Sequence, residues 1–235
     1  MDERLLAHRA EIEAIGPLAE TTLSIAPGVE PYLVLQPEDM DALLDGAESD
    51  PEQNLPYWAE LWPSGIELAR AIAREPELVR GERVLEVGSG LGVTAAAALR
   101  AGADLIAADY SRESLLLCRY NTLRIVGREP ETVQLNWRQP SDDFLALAEG
   151  GFPIVLAADV LYESRDVEPL LRFMERTVAP GGLLWLAEPG RPPAARFLTA
   201  ADEAGWSRAS ATADGPWPDP KDVGVVVGLH RMWRR

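Results

Sequence analysis

From about residue 84 onward, short apolar runs alternate with stretches of helical periodicity, and the alternation predicts a regular succession of strands and helices. The strands fall at Val84–Val87, Leu105–Ala108, Val133–Trp137, Ile154–Ala158, Leu183–Ala187, Trp206–Thr212 and Val223–His230. Between them, helices are expected over Thr94–Arg100, from Ser111 to about Val126, after Ser141, over Asp166–Val178 and over Ala194–Ala204. Ile154-Val155-Leu156-Ala157-Ala158 is wholly apolar, as suits a strand buried on both faces of a parallel sheet. Strand–helix alternation of this kind gives an α/β sheet that is mainly parallel. The last two strands have no room for a crossover helix and should pair antiparallel.

Ahead of this region the pattern changes. Residues 2–15 carry Leu5, Leu6, Ile12 and Ile15 among charges, an amphipathic helix, and two strands at 21–25 and 32–35 flank Ala26-Pro27-Gly28. A short helix is expected from Pro37 through Leu44, then a loop over 45–54 rich in Asp, Gly, Ser and Pro. The expected organisation is a helix and β-hairpin extension over 1–54 and an α/β domain over 55–235. Ser64-x-x-Glu67 has capping-box spacing and predicts a helix from about Gly65 to Arg74, before Pro76. Trp62 then lies at a cap, where an electron-rich face can meet a cation or an adenine, while Tyr57 and Trp58 are expected in the core.

The most informative turn is Val87-Gly88-Ser89-Gly90-Leu91-Gly92, where an apolar strand ends in three glycines and an Ala-rich helix follows. Gly88 suits a tight turn, Gly90 a close approach of backbone to ligand, and Gly92 close packing of the helix. The G-x-G-x-G spacing differs from the G-x-G-x-x-G of most nicotinamide and flavin sites. Glu86, just before the loop, suits a ligand bearing an amine or sulfonium better than one bearing a pyrophosphate, which points to S-adenosylmethionine. An ordinary strand-to-helix turn is the plainer alternative. Asp109 ends the second strand about 20 residues later, the distance at which an acid meets ribose hydroxyls; Ser111 can cap the next helix and leave Asp109 available.

Charge and composition narrow the partners. The chain has 235 residues with 38 acidic and 22 basic side chains, a net charge of −16, which argues against nucleic acid or an anionic membrane surface. One cysteine, Cys118, excludes an internal disulfide and reads as helix core rather than nucleophile. Two histidines make a metal cluster or a His-based acid–base site an unpromising expectation. Met1-Asp2-Glu3-Arg4 is unlike a signal peptide and no apolar run has membrane-span length, so a cytoplasmic, monomeric protein is expected.

With these residues in view, the stretch from Leu55 to the C-terminus resembles the class I, Rossmann-like S-adenosylmethionine-dependent methyltransferases, with seven strands and the last reversed. Trp62-Pro63, Leu135-Asn136-Trp137 and Asp159-Val160-Leu161-Tyr162 are similar to the protein lysine methyltransferases that carry an Asp-x-x-Tyr signature. Glu188-Pro189-Gly190-Arg191-Pro192 is similar to the Asp-Pro-Gly-Arg segment of the electron-transfer-flavoprotein β-subunit lysine methyltransferases and their bacterial relatives, with Glu188 in place of Asp. The resemblance implies that Trp62, Glu86, Gly88, Ser89, Gly90, Gly92, Asp109, Tyr110, Asn136, Trp137 and Ala158 hold the cofactor, and that Asp159 and Tyr162 face the acceptor. Asp159 would attract and orient an ammonium; its plainer reading is a cap for the following helix. Tyr162, if the turn before it is helical, would bond the amine or wall the lysine channel.

The expected activity is methyl transfer to a lysine of a protein substrate. A small amine is the nearest rival acceptor, since the closure of the pocket decides acceptor size. A nicotinamide-dependent enzyme and an inactive interaction module are the remaining rivals. The Asn/Asp-Pro-Pro-Tyr segment of nucleic-acid amino-methyltransferases lacks a counterpart after the fourth strand.

Overall fold

The period-two runs become the central sheet, and their two faces separate the core into two layers. The computed structural model describes residues 3–40, 43–44 and 55–234. Seven strands, β3 (Arg83–Val87), β4 (Asp104–Asp109), β5 (Glu131–Gln134), β6 (Phe152–Ala158), β7 (Val178–Glu188), β8 (Ser207–Ala213) and β9 (Val227–Trp233), lie in the order β5-β4-β3-β6-β7-β9-β8. β3 to β7 run parallel and β9 runs antiparallel to both β7 and β8, as the missing crossover helix required. Strand order reverses between β3 and β6, which follows from the third crossover, β5 to β6, passing to the other side of β3 and opens a crevice at their carboxyl ends.

Along β3, Val84 packs in one core layer and Leu85 and Val87 in the other; along β6, Ile154 and Leu156 oppose Val155 and Ala157. On the first face lie α2 (Pro63–Arg74), α3 (Val93–Ala101) and α4 (Arg112–Val126); their small, Ala-rich contacts let helices pack closely on one another. The second face is covered by α5 (Asp142–Leu147), α6 (Val167–Thr177) and α7 (Pro192–Glu203), with Phe144 and Phe173 stacked at 5.6 Å. Gly102 and Gly127 end α3 and α4 in the left-handed conformation, and Ser111 and Ser141 accept the capping N–H bonds of α4 and α5.

Near the N-terminus α1 (Glu3–Glu13) packs on α4, and β1 (Leu18–Leu23) pairs antiparallel with β2 (Tyr32–Pro37). Buried Asn121 of α4 accepts from Leu35 N–H at 2.8 Å and donates to the carbonyls of Leu35 and Leu91, both at 2.9 Å. One amide thus ties the hairpin to the glycine loop. His8 lies 2.8 Å from Glu129, which also accepts from Arg119 at 3.0 Å, and this holds α1 against the far end of α4.

Several local expectations shift. Pro63 starts α2 and Trp62 is its N-cap without any side-chain bond, so Ser64 and Glu67 form no capping box; Glu67 binds Arg74 at 2.6 Å instead. Proline at the first helical position needs no N–H, which makes the box unnecessary. β5 ends at Gln134, leaving Leu135, Asn136 and Trp137 outside it: Leu135 N–H reaches Asp109 O at 2.8 Å, then Asn136 accepts from Arg138 N–H and turns the chain. The Pro180-Gly181-Gly182 turn is absorbed as an irregularity within β7, where Phe152 pairs with Val178 but Ile154 with Leu183. Pro37 closes β2 rather than opening a helix. The rest of that expected helix lies partly, and the 45–54 loop wholly, outside the described residues.

Candidate active site

The carboxyl ends of β3, β4 and β6 open into a cleft of about 800 Å³, with the crevice between β3 and β6 at its floor. The glycine turn forms one wall. Gly88 and Ser89 N–H both donate to Ala108 O, at 2.8 and 3.2 Å, while Gly90 N–H donates to Asp109 Oδ2 at 2.9 Å. The loop is therefore sewn to β4. Gly88 takes φ 73°, and a side chain there would meet Val160 Cγ1 at 2.8 Å; the missing Cβ lets the chain after β6 come alongside. Gly92 borders a different contact: a Cβ would lie 2.9 Å from Cys118 Cα, so it lets α3 approach α4 and does not line the cleft. The close packing expected of Gly92 is there, against a helix rather than a strand.

Glu86 lies at the base of this wall, 3% exposed, and shares a small recess with Ser89 and Gly90. Among the described residues no cation pairs with Glu86, and its Oε2 makes no hydrogen bond. Burial, reinforced by the charge of Asp109, pushes its carboxyl well above the usual range. Asp109, at the cleft edge, has both oxygens engaged, Oδ1 by Ser111 N–H at 3.0 Å and Oδ2 by Gly90 N–H; burial nonetheless raises its pKa. Ser111 caps α4 as expected, yet Asp109 also serves the turn.

Tyr110, Asn136, Trp137 and Ala158 border the same cleft, and buried Trp137 Nε1–H has no acceptor. Trp62 borders it too, with its indole N–H committed to Tyr57 O at 2.7 Å. Two of the chain's own cations lie over its ring, Arg191 at 5.4 Å and Lys221 at 5.8 Å. Tyr57 and Trp58, expected in the core, are half-buried and border the cleft, although Trp58 also packs on the core.

Across from the glycine turn stands Asp159, directly after β6. It is the one non-glycine residue among those described with a left-handed backbone, φ 55°, and its N–H donates to Ala187 O at 2.9 Å. It caps no helix: α6 begins eight residues later, after a short 3₁₀ turn at Ser164–Asp166. Asp159 Oδ1 accepts from Arg191 at 2.7 Å, while the carboxylate's other side has the Ser64 hydroxyl beside it, which helps hold the charge. Burial lifts the Asp159 carboxyl to about 6 against the opposing pull of Arg191. The segment before Tyr162 is extended rather than helical, and Tyr162 still borders the cleft, edge-on to Tyr57 at 5.2 Å between ring centres. Burial pushes its phenol up, so it remains neutral.

Sequence reasoning missed three contributors. Arg191 was visible as part of a motif, but its bond to Asp159 spans 32 residues. Glu60 lies between the cleft-facing aromatics in Trp58-Ala59-Glu60-Leu61-Trp62, a crowding that could have drawn attention to it. Glu11, Ala14 and Ile15 of the N-terminal segment close one side, and nothing local in their sequence says so.

Comparisons with known proteins agree with this architecture. A family described as "Methyltransferase domain" matches residues 64–224. The electron transfer flavoprotein beta subunit lysine methyltransferase of Rattus norvegicus is 30% identical over 139 residues, 58% of this chain and 52% of that protein. The histone-arginine methyltransferase METTL23 of Xenopus laevis is 32% identical over 124 residues, half of each chain. The chain thus spans about half the length of the curated relatives it matches. In fold it is similar to the N-methyltransferase NodS of Bradyrhizobium japonicum in complex with S-adenosyl-homocysteine, with a TM-score of 0.59, 17% identity and coverage of 83% of this chain and 99% of that one.

Proposed function

The chain belongs to the methyltransferase domain family and is an S-adenosylmethionine-dependent methyltransferase, and from that premise we propose that it methylates a lysine side chain of a protein substrate. The donor fits the residues present. It is cationic, and the recess below the glycine turn holds a buried carboxylate, Glu86, with an oxygen that bonds nothing among the described residues. Its methyl group is activated by the sulfonium, so the protein contributes binding, orientation and electrostatics. Glu86 would meet positive charge, the N–H-rich turn at Gly88–Gly90 the amino-acid portion, and Asp109 the ribose. Tyr110, Asn136 and Trp137 would border the adenine, with Trp62 and Ala158 near the reacting centre.

The observation that carries the acceptor reading is Asp159: a buried carboxylate at the strand end opposite the glycine turn, with one oxygen on Arg191 and the Ser64 hydroxyl beside it. A carboxylate there attracts an ammonium and orients the amine that forms when its proton leaves. Tyr162, neutral and rigidly packed on Tyr57, can accept a hydrogen bond or bound the channel. A neutral amine then attacks along a fixed direction, and orientation supplies much of the rate.

The test is incubation with labelled S-adenosylmethionine and a lysate of proteins. Methylated lysine in hydrolysates of labelled protein supports the reading; label confined to small molecules overturns it in favour of a small amine, an acceptor for which a cleft of about 800 Å³ also has room beside the donor.

A further inference from the structure

The chain contains 21 arginines but a single lysine, Lys221. That lysine lies on the short 3₁₀ turn Pro220–Asp222 between β8 and β9 and touches residues that border the cleft. Its Nζ lies 3.2 Å from Glu60 and 3.4 Å from Asp219, and 5.8 Å from the centre of the Trp62 ring. Glu60 and Trp62 both border the cleft. The same indole ring carries Arg191, whose guanidinium holds Asp159. One aromatic ring thus neighbours both Lys221 and the arginine on the carboxylate read above as the acceptor anchor. Asp222, the next residue, is buried, and its charge bears on Asp159.

These contacts are of the kind a lysine acceptor requires: carboxylates for the ammonium and an aromatic face for its stem and charge. The Lys221 side chain is half exposed, and Val223 is 83% exposed, although Asp222 between them is buried. Glu60 and Asp219 hold the ammonium at the rim through exposed ion pairs, which are weak and exchange readily with water. Partial burial works against the charge of Lys221 but is outweighed by these two carboxylates, so the resting side chain is an ammonium.

We propose that Lys221 is itself a methyl acceptor of this enzyme, an automethylation site at the mouth of its own cleft. The inference rests on the lysine reading of the acceptor site. In the step, the ammonium first gives its proton to water. The Nζ lone pair then forms the N–C bond while the methyl carbon's bond to sulfur breaks, and that electron pair stays on sulfur as the neutral thioether. Methyl-lysine and the demethylated donor are the products, and no further reactant is needed.

The experiment uses the full chain, labelled S-adenosylmethionine and no other acceptor, followed by intact-mass measurement and peptide mapping. The expected result is up to one modified residue per chain, mapped to Lys221, with label lost in Lys221→Arg. Lys221→Arg should still label an exogenous lysine-bearing protein substrate at a rate within twofold of the parent, which also shows that the variant is folded. An unlabelled parent chain that nonetheless methylates lysines of other proteins overturns this inference alone. Label elsewhere in the chain, or persisting in Lys221→Arg, does the same. If neither Lys221 nor any protein lysine is labelled while small amines are, the acceptor reading falls and the inference with it.

Discussion

Glu86 in β3 and Asp159 after β6 stand on neighbouring strands of one sheet, both buried, yet Arg191 holds Asp159 at 2.7 Å whereas no cation among the described residues holds Glu86. The wall proposed for the donor keeps a carboxylate without a counter-charge, so the ligand-free chain carries a desolvation cost there that a cationic ligand can relieve. On the side proposed for the acceptor, Arg191 balances one oxygen of Asp159 and itself lies over the Trp62 ring. A donor that is always cationic suits the first arrangement. An acceptor that arrives charged and must react neutral suits the second, where a partly satisfied carboxylate attracts an ammonium without trapping it.

The contrast is most sharply broken at Asp159. Asp159→Ala should lower turnover at least about a thousandfold, roughly 4 kcal/mol of barrier, while calorimetric affinity for S-adenosylmethionine stays within about threefold. A variant with full turnover would remove Asp159 from the acceptor side. Next in size is a pH effect on the ligand-free chain. Asp159 has a folded pKa near 6 against an ordinary 3.8, so between these values the native state holds a proton the unfolded chain lacks. Its contribution therefore favours folding at low pH and is lost as pH rises through about 6. Urea melts should find Asp159→Asn more stable relative to the parent at pH 7 than at pH 4, by up to about 3 kcal/mol. The same stability difference at both pH values would mean that the carboxylate is better solvated than its burial indicates.

Glu86→Gln should weaken donor binding by roughly a hundredfold, about 2.7 kcal/mol, and at the same time raise the melting temperature of the ligand-free chain at pH 8. The two signs together are the point: a plain structural role would lower both. The smallest effect is expected of Arg191→Met. Loss of its guanidinium removes the pull that lowers the Asp159 carboxyl, so the acid limb of kcat/KM for the acceptor should move to higher pH. Above pH 8 the rate should stay within about threefold of the parent, the scale of a partly exposed ion pair. A fall at all pH values with no shift of the limb would make Arg191 an acceptor contact rather than a regulator of Asp159.

Much of the scaffold was legible from residue order alone. The strands β3, β4 and β6, the glycine turn, the caps at Ser111 and Ser141 and the antiparallel end of the sheet all depend on near neighbours or on a repeated period. The misplaced limits had local causes of a less regular kind. Trp137 continued the alternation of β5, but the side chain of Asn136 turned the chain first. Gly181 and Gly182 looked like a turn, yet Gly182 passes so close to Ala179 O and Pro153 O, 2.9 and 3.0 Å from where its Cβ would be, that it stays within the sheet.

By itself the sequence determined the α/β order, the three-glycine turn and the presence of acids at strand ends, because backbone conformation and side-chain period are set within a few residues. Only the tertiary structure decided how those acids are balanced. Arg191 reaches Asp159, Lys221 reaches Trp62 and Glu60, and α1 reaches the cleft across separations of 32 to more than 100 residues. Such pairings are chosen by the packing of whole elements, and the strength of a charge inside them depends on what water the fold removes.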